Sequence, residues 1–252
     1  MENILKDINH PDLFKIIDIR KDHDYIIIIA EYFNAINLRD FLKVTGKPFS
    51  EEEVQYIMKK IINIIRYLHN KRIVHRDITA DNFLLCNESE GEQIKNNILE
   101  TKIKLFNFYL AVNLPKGQFL FNHRGNIKYM APEILRTGKY NEACDIWSLG
   151  VLCSLLITND YPYNFKTLHK EGNANIYLPE TLSKEAISFI NCMLQYEQSL
   201  RKNIEELTKH EFLNKNPSNF NKIKIEDIKE HIENSKIKIN IKDNEWVAKY
   251  FG

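Results

Sequence analysis

The first part of the chain carries two β-rich runs. Residues 13–33 read LFKIIDIRKDHDYIIIIAEYF, with branched and aromatic residues in both runs and a charged turn between them. Such residues favour extended strands, so this stretch predicts a β-hairpin. The preceding residues, MENILKDINHP, are polar and predict a short helix instead of the charged and then apolar pattern of a signal peptide.

The pattern changes at Ser50, where apolar residues begin to recur every three or four positions. Ser50 and Glu53 have the spacing of a capping box, which marks the start of a helix. The apolar positions of this helix are Val54, Ile57, Met58, Ile61, Ile65 and Leu68. We therefore predict a long amphipathic helix that ends near residues 69–70.

The remainder of the chain up to residue 213 is predicted to be mostly helical. Short strands are expected at 83–85 and 102–106, joined by the polar loop CNESEGEQIKNNILET, which we interpret as a solvated hairpin insertion rather than a binding element. Helices are predicted over 132–136, 141–159, 183–195 and 203–210. A little β structure followed by mostly helix indicates an α+β architecture with segregated parts.

The tail from about residue 214 differs in composition, being rich in Lys, Ile and Asn. Its segment KIKIEDIKEHI predicts a helix, and SKIKINIK alternates like a strand. The last apolar residues are spaced so that they could share one helical face: Trp246, Val247, Tyr250 and Phe251. Docking of that face on the chain's own body is favoured, and a partner-binding site is the alternative.

Composition and charge narrow the function classes. The net charge of +1 over 252 residues leaves no electrostatic footprint for nucleic acid or an anionic membrane. The longest apolar stretch, IWSLGVLCSLLI at 146–157, is too short to span a bilayer. The four cysteines have no paired metal spacing, which favours reduced thiols and an intracellular, cytoplasmic protein.

The most specific motif is IVHRDITADNFLL, in which His75, Arg76 and Asp77 are followed by Asn82. It resembles the catalytic loop of protein kinases, H-R-D-x-x-x-x-N. Three further stretches, YMAPEIL, KYNEACDIWSLGVL and SLRKNIEELTKHEFL, resemble later kinase motifs in the same order. Among Ser/Thr kinases, the calcium-dependent and calmodulin-dependent families are the most similar. The resemblance implies a protein-kinase-like fold and an ion pair between Arg201 and Glu133.

The resemblance also implies a division of the chain. Residues 1–33 would be a remnant N-lobe with the end of the family's helix C, two strands and the hinge; residues 34–213 would be the helical C-lobe; residues 214–252 would be a Lys/Ile-rich tail. The kinase Gly-rich loop, G-x-G-x-x-G, occurs nowhere in these 252 residues. The alignment places Met1 at the glutamate that pairs with the family's strand-3 lysine, so neither that lysine nor its glutamate is expected here.

Kinase chemistry consists mainly of positioning and charge neutralisation, and the resemblance assigns a role to each residue. Asp77 stands at the catalytic-base position, with His75 and Arg76 beside it, and Asn82 could hold a metal ion. The adenine-pocket and hinge positions are Ala30, Glu31, Phe33 and Leu84. The small side chain of Ala30 would leave the pocket behind the nucleotide open.

Other positions depart from the family pattern. Asn107 replaces the aspartate that bridges Mg²⁺ to the nucleotide phosphates, and a neutral amide is a poor ligand for that hard cation. Tyr109 replaces a glycine, which is costly wherever φ is positive. Thr79 stands at the position of a lysine near the γ-phosphate, and Asn126 replaces the threonine that ties that lysine to the catalytic aspartate.

Packing positions of the family are retained. Leu5, Ile16, His75 and Phe108 fall at its internal hydrophobic spine, which Asp145 would anchor. Residues 107–133 contain no Ser or Thr, so phosphorylation on such residues within that loop is not expected.

These departures favour a pseudokinase that acts as a scaffold or allosteric regulator. The alternatives are an active ATP-dependent Ser/Thr kinase whose N-terminal part is missing from this chain, and a nonfunctional fragment. ATP and Mg²⁺ are expected if the protein is active, and no cofactor is expected otherwise. We expect a protein partner or protein substrate, with no nucleic acid, no membrane and no calcium-binding EF-hand in this chain.

Overall fold

The computed structural model describes residues 2–21, 25–86, 98–171, 175–215 and 245–251. Helices and strands are numbered in chain order below. Much of the loop predicted as a hairpin insertion, and the predicted helix and strand of the tail before residue 245, lie outside these ranges.

The N-terminal part is a short helix followed by the predicted hairpin. Helix α1 (Glu2–Asp7) precedes strands β1 (Ile16–Lys21) and β2 (Tyr25–Glu31), which pair in antiparallel fashion from Ile16 opposite Ala30 to Lys21 opposite Ile26. The pairing register shifts between Ile16 and Asp18, as in a β-bulge. The predicted hairpin is therefore confirmed.

The other edge of β2 is covered by the C-terminal strand β10 (Glu245–Phe251). This strand is antiparallel to β2, with Glu245 opposite Glu31 and Phe251 opposite Tyr25. The prediction of a helical face at this end of the chain was wrong. The segment does dock on the chain's own body, but through backbone pairing along a sheet edge.

A second three-stranded sheet leads into the helical part of the molecule. It consists of β3 (Ala35–Asn37), β5 (Phe83–Cys86) and β6 (Lys102–Leu105), in the order β3-β5-β6. Helix α2 (Leu38–Thr45) begins immediately after β3. The side chain of Asn37 caps it by accepting a hydrogen bond from the backbone N–H of Asp40.

Helix α3 (Glu51–Asn70) is the central helix, and its start is the predicted capping box. Ser50 accepts a hydrogen bond from the backbone of Glu53, and Glu53 accepts one from the backbone of Ser50. All six predicted apolar positions of this helix are buried. The helical period of the sequence thus places α3 in the core.

Two short strand pairs order the segment that follows β6. Strand β4 (Ile73–Val74) pairs with β7 (Val112–Asn113), and β8 (Leu120–Phe121) pairs with β9 (Lys139–Tyr140). The remaining helices are α4 (Pro132–Thr137), α5 (Ala143–Thr158), α6 (Phe165–Glu171), α7 (Lys184–Met193), α8 (Ile204–Thr208) and α9 (Glu211–Asn214). The four helices predicted after residue 130 correspond to α4, α5, α7 and α8, whereas α2, α6 and α9 were not predicted.

The core is continuous from α1 to α9 and is built mainly on α3 and α5. Helix α5 is buried on almost every side, in keeping with its apolar sequence. Within the described ranges, no helix has the length and apolar character needed to cross a membrane. The four cysteines are unpaired, and burial raises the pKa of Cys86 to about 12 and that of Cys192 to about 11.

Candidate active site

Asp145 fixes the backbone of the loop that carries the predicted catalytic residues. Its carboxylate, buried at the start of α5, accepts hydrogen bonds from the backbone N–H of His75 at 2.9 Å and of Arg76 at 2.8 Å. Nε2 of His69, from the end of α3, lies 2.9 Å from the same carboxylate. Burial alone would raise the pKa of Asp145, but the hydrogen bonds from His69 and the loop backbone outweigh it, and the pKa lies below its ordinary value.

His75 is a buried structural residue whose tautomer follows from its partners. Its Nε2 lies 2.5 Å from the carbonyl oxygen of Asn107, which can only accept, so Nε2 carries the proton. Its Nδ1 accepts a hydrogen bond from the backbone N–H of Asp77 at 3.3 Å. Burial lowers the pKa of His75, and the neutral imidazole satisfies both contacts.

The imidazole of His75 also packs against Phe108, with ring centroids 5.3 Å apart in an edge-to-face arrangement. Of the other residues predicted for the hydrophobic spine, Leu5 is buried and Ile16 is half-buried. His75 therefore joins the catalytic loop to the segment after β6 through both a hydrogen bond and ring packing.

Asp77 and Asn82 are held together in the loop. Nδ2 of Asn82 donates to the carbonyl oxygen of Asp77 at 2.7 Å and to its Oδ2 at 2.8 Å. Both residues lie between β4 and β5, and Asn82 is buried. The carboxylate of Asp77 is thus oriented by a side chain predicted to hold a metal.

Asn107, in the turn after β6, closes this pair from the other side. Its Nδ2 donates to Oδ1 of Asn82 at 3.2 Å and to Oδ2 of Asp77 at 3.4 Å. Its Oδ1 accepts a hydrogen bond from the backbone N–H of Tyr109 at 3.0 Å. A flipped amide would set nitrogen against the N–H of Tyr109, so the contacts support the orientation with nitrogen toward the carboxylate.

The side-chain atoms of this site are poor ligands for a magnesium ion. Magnesium requires oxygen ligands, and anionic oxygens are preferred. Among the three residues, Asp77 supplies the one carboxylate, while the side-chain oxygens of Asn82 and Asn107 already accept hydrogen bonds. The NH₂ group of Asn107 points at the acceptors that a bridging cation would neutralise. Among the described residues, no group of three His, Cys, Asp or Glu side chains could hold a metal ion.

Thr79 and Asn126, two further positions that differ from the kinase pattern, lie at a small cavity beside Asp77. Asp77, Thr79 and Asn126 line the same space of about 10 Å³, which is barely enough for one water molecule. Thr79 itself is buried. Neither Thr79 nor Asn126 carries a charge, so the cations that line this cavity are Arg76 and Arg124.

Tyr109 does not strain the backbone. The non-glycine residues described with positive φ are Arg72, Arg76 and Asn159, and Tyr109 is not among them. The expected steric cost of replacing glycine at this position is therefore absent, because the turn avoids the left-handed region. The Tyr109 side chain is largely exposed.

The side chain of Arg76 joins three segments of the chain. Its Nε donates to the carbonyl oxygen of Leu110 at 2.6 Å, and its Nη1 lies 3.2 Å from both Oδ1 of Asn122 and the hydroxyl of Tyr140. The hydroxyl of Tyr140 also donates to Asn122 at 2.6 Å. The acceptors are neutral, and together they hold residues 110–122 against β9.

The predicted hinge positions gather around Lys104, a residue to which the sequence motifs assign no role. The Nζ of this buried lysine lies 2.5 Å from Oε1 of Glu31 and donates to the carbonyl oxygen of Leu13 at 3.2 Å. The ammonium also lies 4.6 Å from the ring centroid of Phe33. Leu84 is directly opposite Lys104 in the strand pairing.

Ala30 is half-buried and lies opposite Ile16 in the hairpin. Glu31 additionally accepts a hydrogen bond from the backbone N–H of Lys15 at 2.9 Å. The structure thus brings Glu31, Phe33 and Leu84 near one another through Lys104. Their role toward adenine stays a prediction. In a strand that alternates between lysine and apolar residues, the lysines are expected to face solvent. The sequence therefore gave no local indication that Lys104 is buried.

The predicted ion pair between Arg201 and Glu133 is confirmed. Nη1 and Nη2 of Arg201 lie 2.6 and 2.7 Å from the two carboxylate oxygens of Glu133. The same guanidinium donates to the carbonyl oxygens of Ala143, Gln195 and Tyr196, so all sides of this buried cation are satisfied. The pair ties α4 to the segment that precedes α8.

The structure brings Asp77, Asn82 and Asn107 of the predicted kinase motifs together in one site. Comparison with known families agrees: residues 2–213 match the protein kinase domain. The chain therefore belongs to the protein kinase family. The mixed α+β structure described above is consistent with that fold.

Several curated proteins are similar to the chain. Calcium-dependent protein kinase 5 of Plasmodium falciparum is 30% identical over 93% of this chain and 42% of its own length. Putative sperm motility kinase W of Mus musculus is 29% identical over 85% of this chain and 42% of its own length. Calcium-dependent protein kinase 4 of Plasmodium berghei is 28% identical over 83% of this chain and 39% of its own length. The chain thus spans about two-fifths of the length of these relatives.

Proposed function

We propose that this kinase domain is a pseudokinase that acts through protein contacts, as a scaffold or allosteric regulator, rather than by magnesium-dependent phosphoryl transfer. The observation that carries the proposal is the position of the Asn107 amide. Its NH₂ group donates to Oδ2 of Asp77 and to Oδ1 of Asn82, so a hydrogen-bond donor rather than a cation faces these two oxygens. Phosphoryl transfer depends on neutralising developing negative charge, and neither Thr79 nor Asn107 supplies a charge or a metal ligand that would do so.

The arrangement of Arg76 supports the scaffold role. Its Nε and Nη1 donate to neutral acceptors from Leu110, Asn122 and Tyr140, which hold the segment after β6 without any added charge. A segment held in this way presents one fixed surface to a protein partner. The identity of the partner, the absence of nucleic-acid and membrane binding, and a cytoplasmic location remain proposals.

An active Ser/Thr kinase is the second candidate. It is favoured by Asp77, whose carboxylate is present and oriented by Asn82 as a general base would need to be. Two of the similar proteins are named as calcium-dependent protein kinases. On this alternative, ATP and Mg²⁺ would bind at the hinge and beside Asp77, with the metal displacing the Asn107 amide.

Thermal unfolding of the chain with ATP, in the presence and absence of Mg²⁺, separates the two candidates. A ligand that binds only the native state stabilises it by about 2.7 kcal/mol at a hundredfold excess over its dissociation constant. We expect no Mg²⁺-dependent rise in melting temperature and no phosphate transfer to a mixture of protein substrates. An ATP shift without Mg²⁺ dependence would show nucleotide binding and still agree with the proposal.

The Asp77→Asn variant is the matched control for the transfer assay. Activity from a contaminating kinase would persist in this variant, whereas activity of the chain itself would be lost with the general base. A Mg²⁺-dependent thermal shift, together with transfer that the Asp77→Asn variant lacks, would establish the active kinase instead.

A further inference from the structure

Strand β2 presents an edge that requires a partner. It contains four consecutive isoleucines, Ile26–Ile29, followed by Ala30. An uncovered strand of high β-propensity and low charge readily pairs with strands of other molecules. Strand β1 occupies one side of β2, from Ile16 to Lys21. The other side is therefore the edge at which this sheet is vulnerable.

Strand β10 matches that edge along its whole length. Every residue from Tyr25 to Glu31 has a partner between Glu245 and Phe251, without a register shift. The EWVAKYF segment contains no proline that would interrupt the hydrogen-bond ladder. An antiparallel pairing of this extent gives the edge a complete set of backbone partners.

We propose that residues 245–251 are a built-in strand of the kinase domain, which adds to the β2 edge within the same chain and keeps that edge from pairing with other molecules. Residues 216–244 connect this strand to α9, and an extended chain of that length could reach roughly 90 Å. The proposal does not rest on whether the domain transfers phosphate.

The position of β10 links the C-terminal end of the chain to the hinge. The strand begins opposite Glu31, whose carboxylate also accepts from Lys104 and from the backbone of Lys15. Residue 246 lies opposite Ala30. A segment far away in sequence thus borders two positions predicted for the adenine pocket.

A cysteine pair tests the pairing and its register directly. Ile28 and Ala248 lie opposite each other, and residues opposite each other in a sheet share a face and have Cα atoms about 4.5–5.5 Å apart. This spacing falls in the range that a disulfide can bridge. The Ile28→Cys, Ala248→Cys variant should form an intrachain disulfide on mild oxidation and migrate as a monomer on a non-reducing gel.

The matched control is Ile28→Cys with Lys249→Cys, which moves the second cysteine by one residue and hence to the opposite face. We expect little bridging in this control. The native thiols should interfere little because three of the four are buried and burial raises the pKa of the remaining Cys192 thiol to about 11. Equal bridging in both variants, no bridging in the first, or disulfide-linked dimers would each overturn the intrachain strand.

The protective role is tested by breaking the ladder. Among the described strands, β10 pairs with β2 on one side only. One of any two adjacent N–H groups of β10 therefore faces β2, so the Val247→Pro, Ala248→Pro double variant removes at least one ladder bond. Hydrogen exchange over residues 25–31 should then accelerate for about half of the amides, since the others face β1. The sample should also self-associate with increasing concentration, as light scattering would show.

Val247→Ile with Ala248→Val is the control, because it keeps both N–H groups and favours a strand. Residues 73–86 provide an internal reference that should keep their protection in both variants. Unchanged exchange over 25–31 in the double proline variant, or loss of protection that extends to 73–86, would overturn a local edge-protecting role.

Discussion

The side-chain nitrogen of Asn107 lies 3.4 Å from Oδ2 of Asp77, so a hydrogen-bond donor faces the carboxylate at the centre of the site. An aspartate at position 107 would place an acceptor there instead. Two carboxylates and the oxygen of Asn82 would then face one another, and a cation bound between them would relieve the repulsion. This relationship makes the consequence of a single substitution predictable.

We expect Asn107→Asp to be less stable than the native chain without metal and to gain stability from Mg²⁺. Two unit charges at this separation repel by about 1 kcal/mol in water and about 5 kcal/mol at an effective dielectric constant of about 20. For half-buried groups we expect the free energy of unfolding to fall by about 1–3 kcal/mol. Each kcal/mol should lower the melting temperature of a domain of this size by roughly 2–4 °C. Thermal unfolding with and without Mg²⁺ measures both effects.

The native chain should show no such Mg²⁺ dependence. The Asp77→Asn, Asn107→Asp variant, with one carboxylate, should respond weakly. We expect no phosphate transfer by Asn107→Asp, because Thr79 still leaves the γ-phosphate position without its cation. An Asn107→Asp variant that ignores Mg²⁺ would contradict our account of the site, and one that transfers phosphate would show that Asn107 alone blocks the reaction and that Thr79 does not.

Two substitutions of the neutral acceptor Asn122 should change the free energy of unfolding in opposite directions. Asn122→Ala removes an acceptor that Arg76 and Tyr140 share, and we expect a loss of about 1–2 kcal/mol. Asn122→Asp replaces it with a carboxylate beside the guanidinium, and charge-assisted hydrogen bonds should increase stability by about 0.5–1.5 kcal/mol. Urea unfolding measures both changes.

Protection from hydrogen exchange over residues 107–122 should be highest with aspartate at position 122, intermediate with the native asparagine and lowest with alanine. The gain from aspartate should shrink in high salt, because screening weakens partly exposed charge pairs. If Asn122→Asp destabilised the chain, or if both variants matched the native protein, Arg76 would not be holding this segment through Asn122.

Much of the helical core follows from sequence period alone. The spacing from Val54 to Leu68 and the capping residues Ser50 and Glu53 determine α3, because local hydrogen bonds and burial favour the same structure. The pairing of Arg201 with Glu133 followed from motif resemblance, since both residues lie in ordered kinase motifs. The substitutions at Thr79 and Asn107 were likewise visible in the sequence.

Tertiary contacts decide the features that the sequence did not predict. Apolar residues at 246, 247, 250 and 251 fit a helix locally, but the open edge of β2 pairs with them as a strand. Lys104 is buried because Glu31, Leu13 and Phe33 come from elsewhere in the chain to surround it. The direction of the Asn107 amide likewise depends on Asp77 and Asn82, which are distant in sequence.

Asp145 should make stability depend on pH in the acid range. Hydrogen bonds hold its pKa below the ordinary value in the folded chain, so its contribution is present above the unfolded pKa of about 4 and is lost as pH falls through the lower folded pKa. Asp145→Asn removes this contribution and places an NH₂ group against the backbone N–H of His75 or of Arg76. We expect a loss of about 2–4 kcal/mol at pH 7.

Urea unfolding of both chains from pH 7 to pH 3 checks this expectation. The difference in unfolding free energy should be constant near neutrality and should narrow at the acid end, where Asp145 of the native chain takes up a proton. A difference that stays constant to pH 3 would mean that the Asp145 carboxylate is not stabilised by its partners His69, His75 and Arg76.

The ion pair between Arg201 and Glu133 should be strongly coupled because both charges are removed from water. The Arg201 side chain has a relative exposure of 0%, and that of Glu133 has 11%. Arg201→Ala leaves a buried carboxylate without its partner, and we expect a loss of about 3–5 kcal/mol. Arg201→Lys keeps the charge but cannot make both parallel bonds, so it should also destabilise, by a smaller amount.

A double-mutant cycle with Glu133→Gln isolates the pair from the other contacts of Arg201. The carbonyl oxygens of Ala143, Gln195 and Tyr196 lose their donor whenever Arg201 is truncated, so that cost appears in both Arg201→Ala variants and cancels in the cycle. We expect a coupling energy of about 2 kcal/mol or more from urea unfolding. A coupling near zero would mean that Arg201 stabilises the fold through those carbonyls alone and that its charge pairing with Glu133 is incidental.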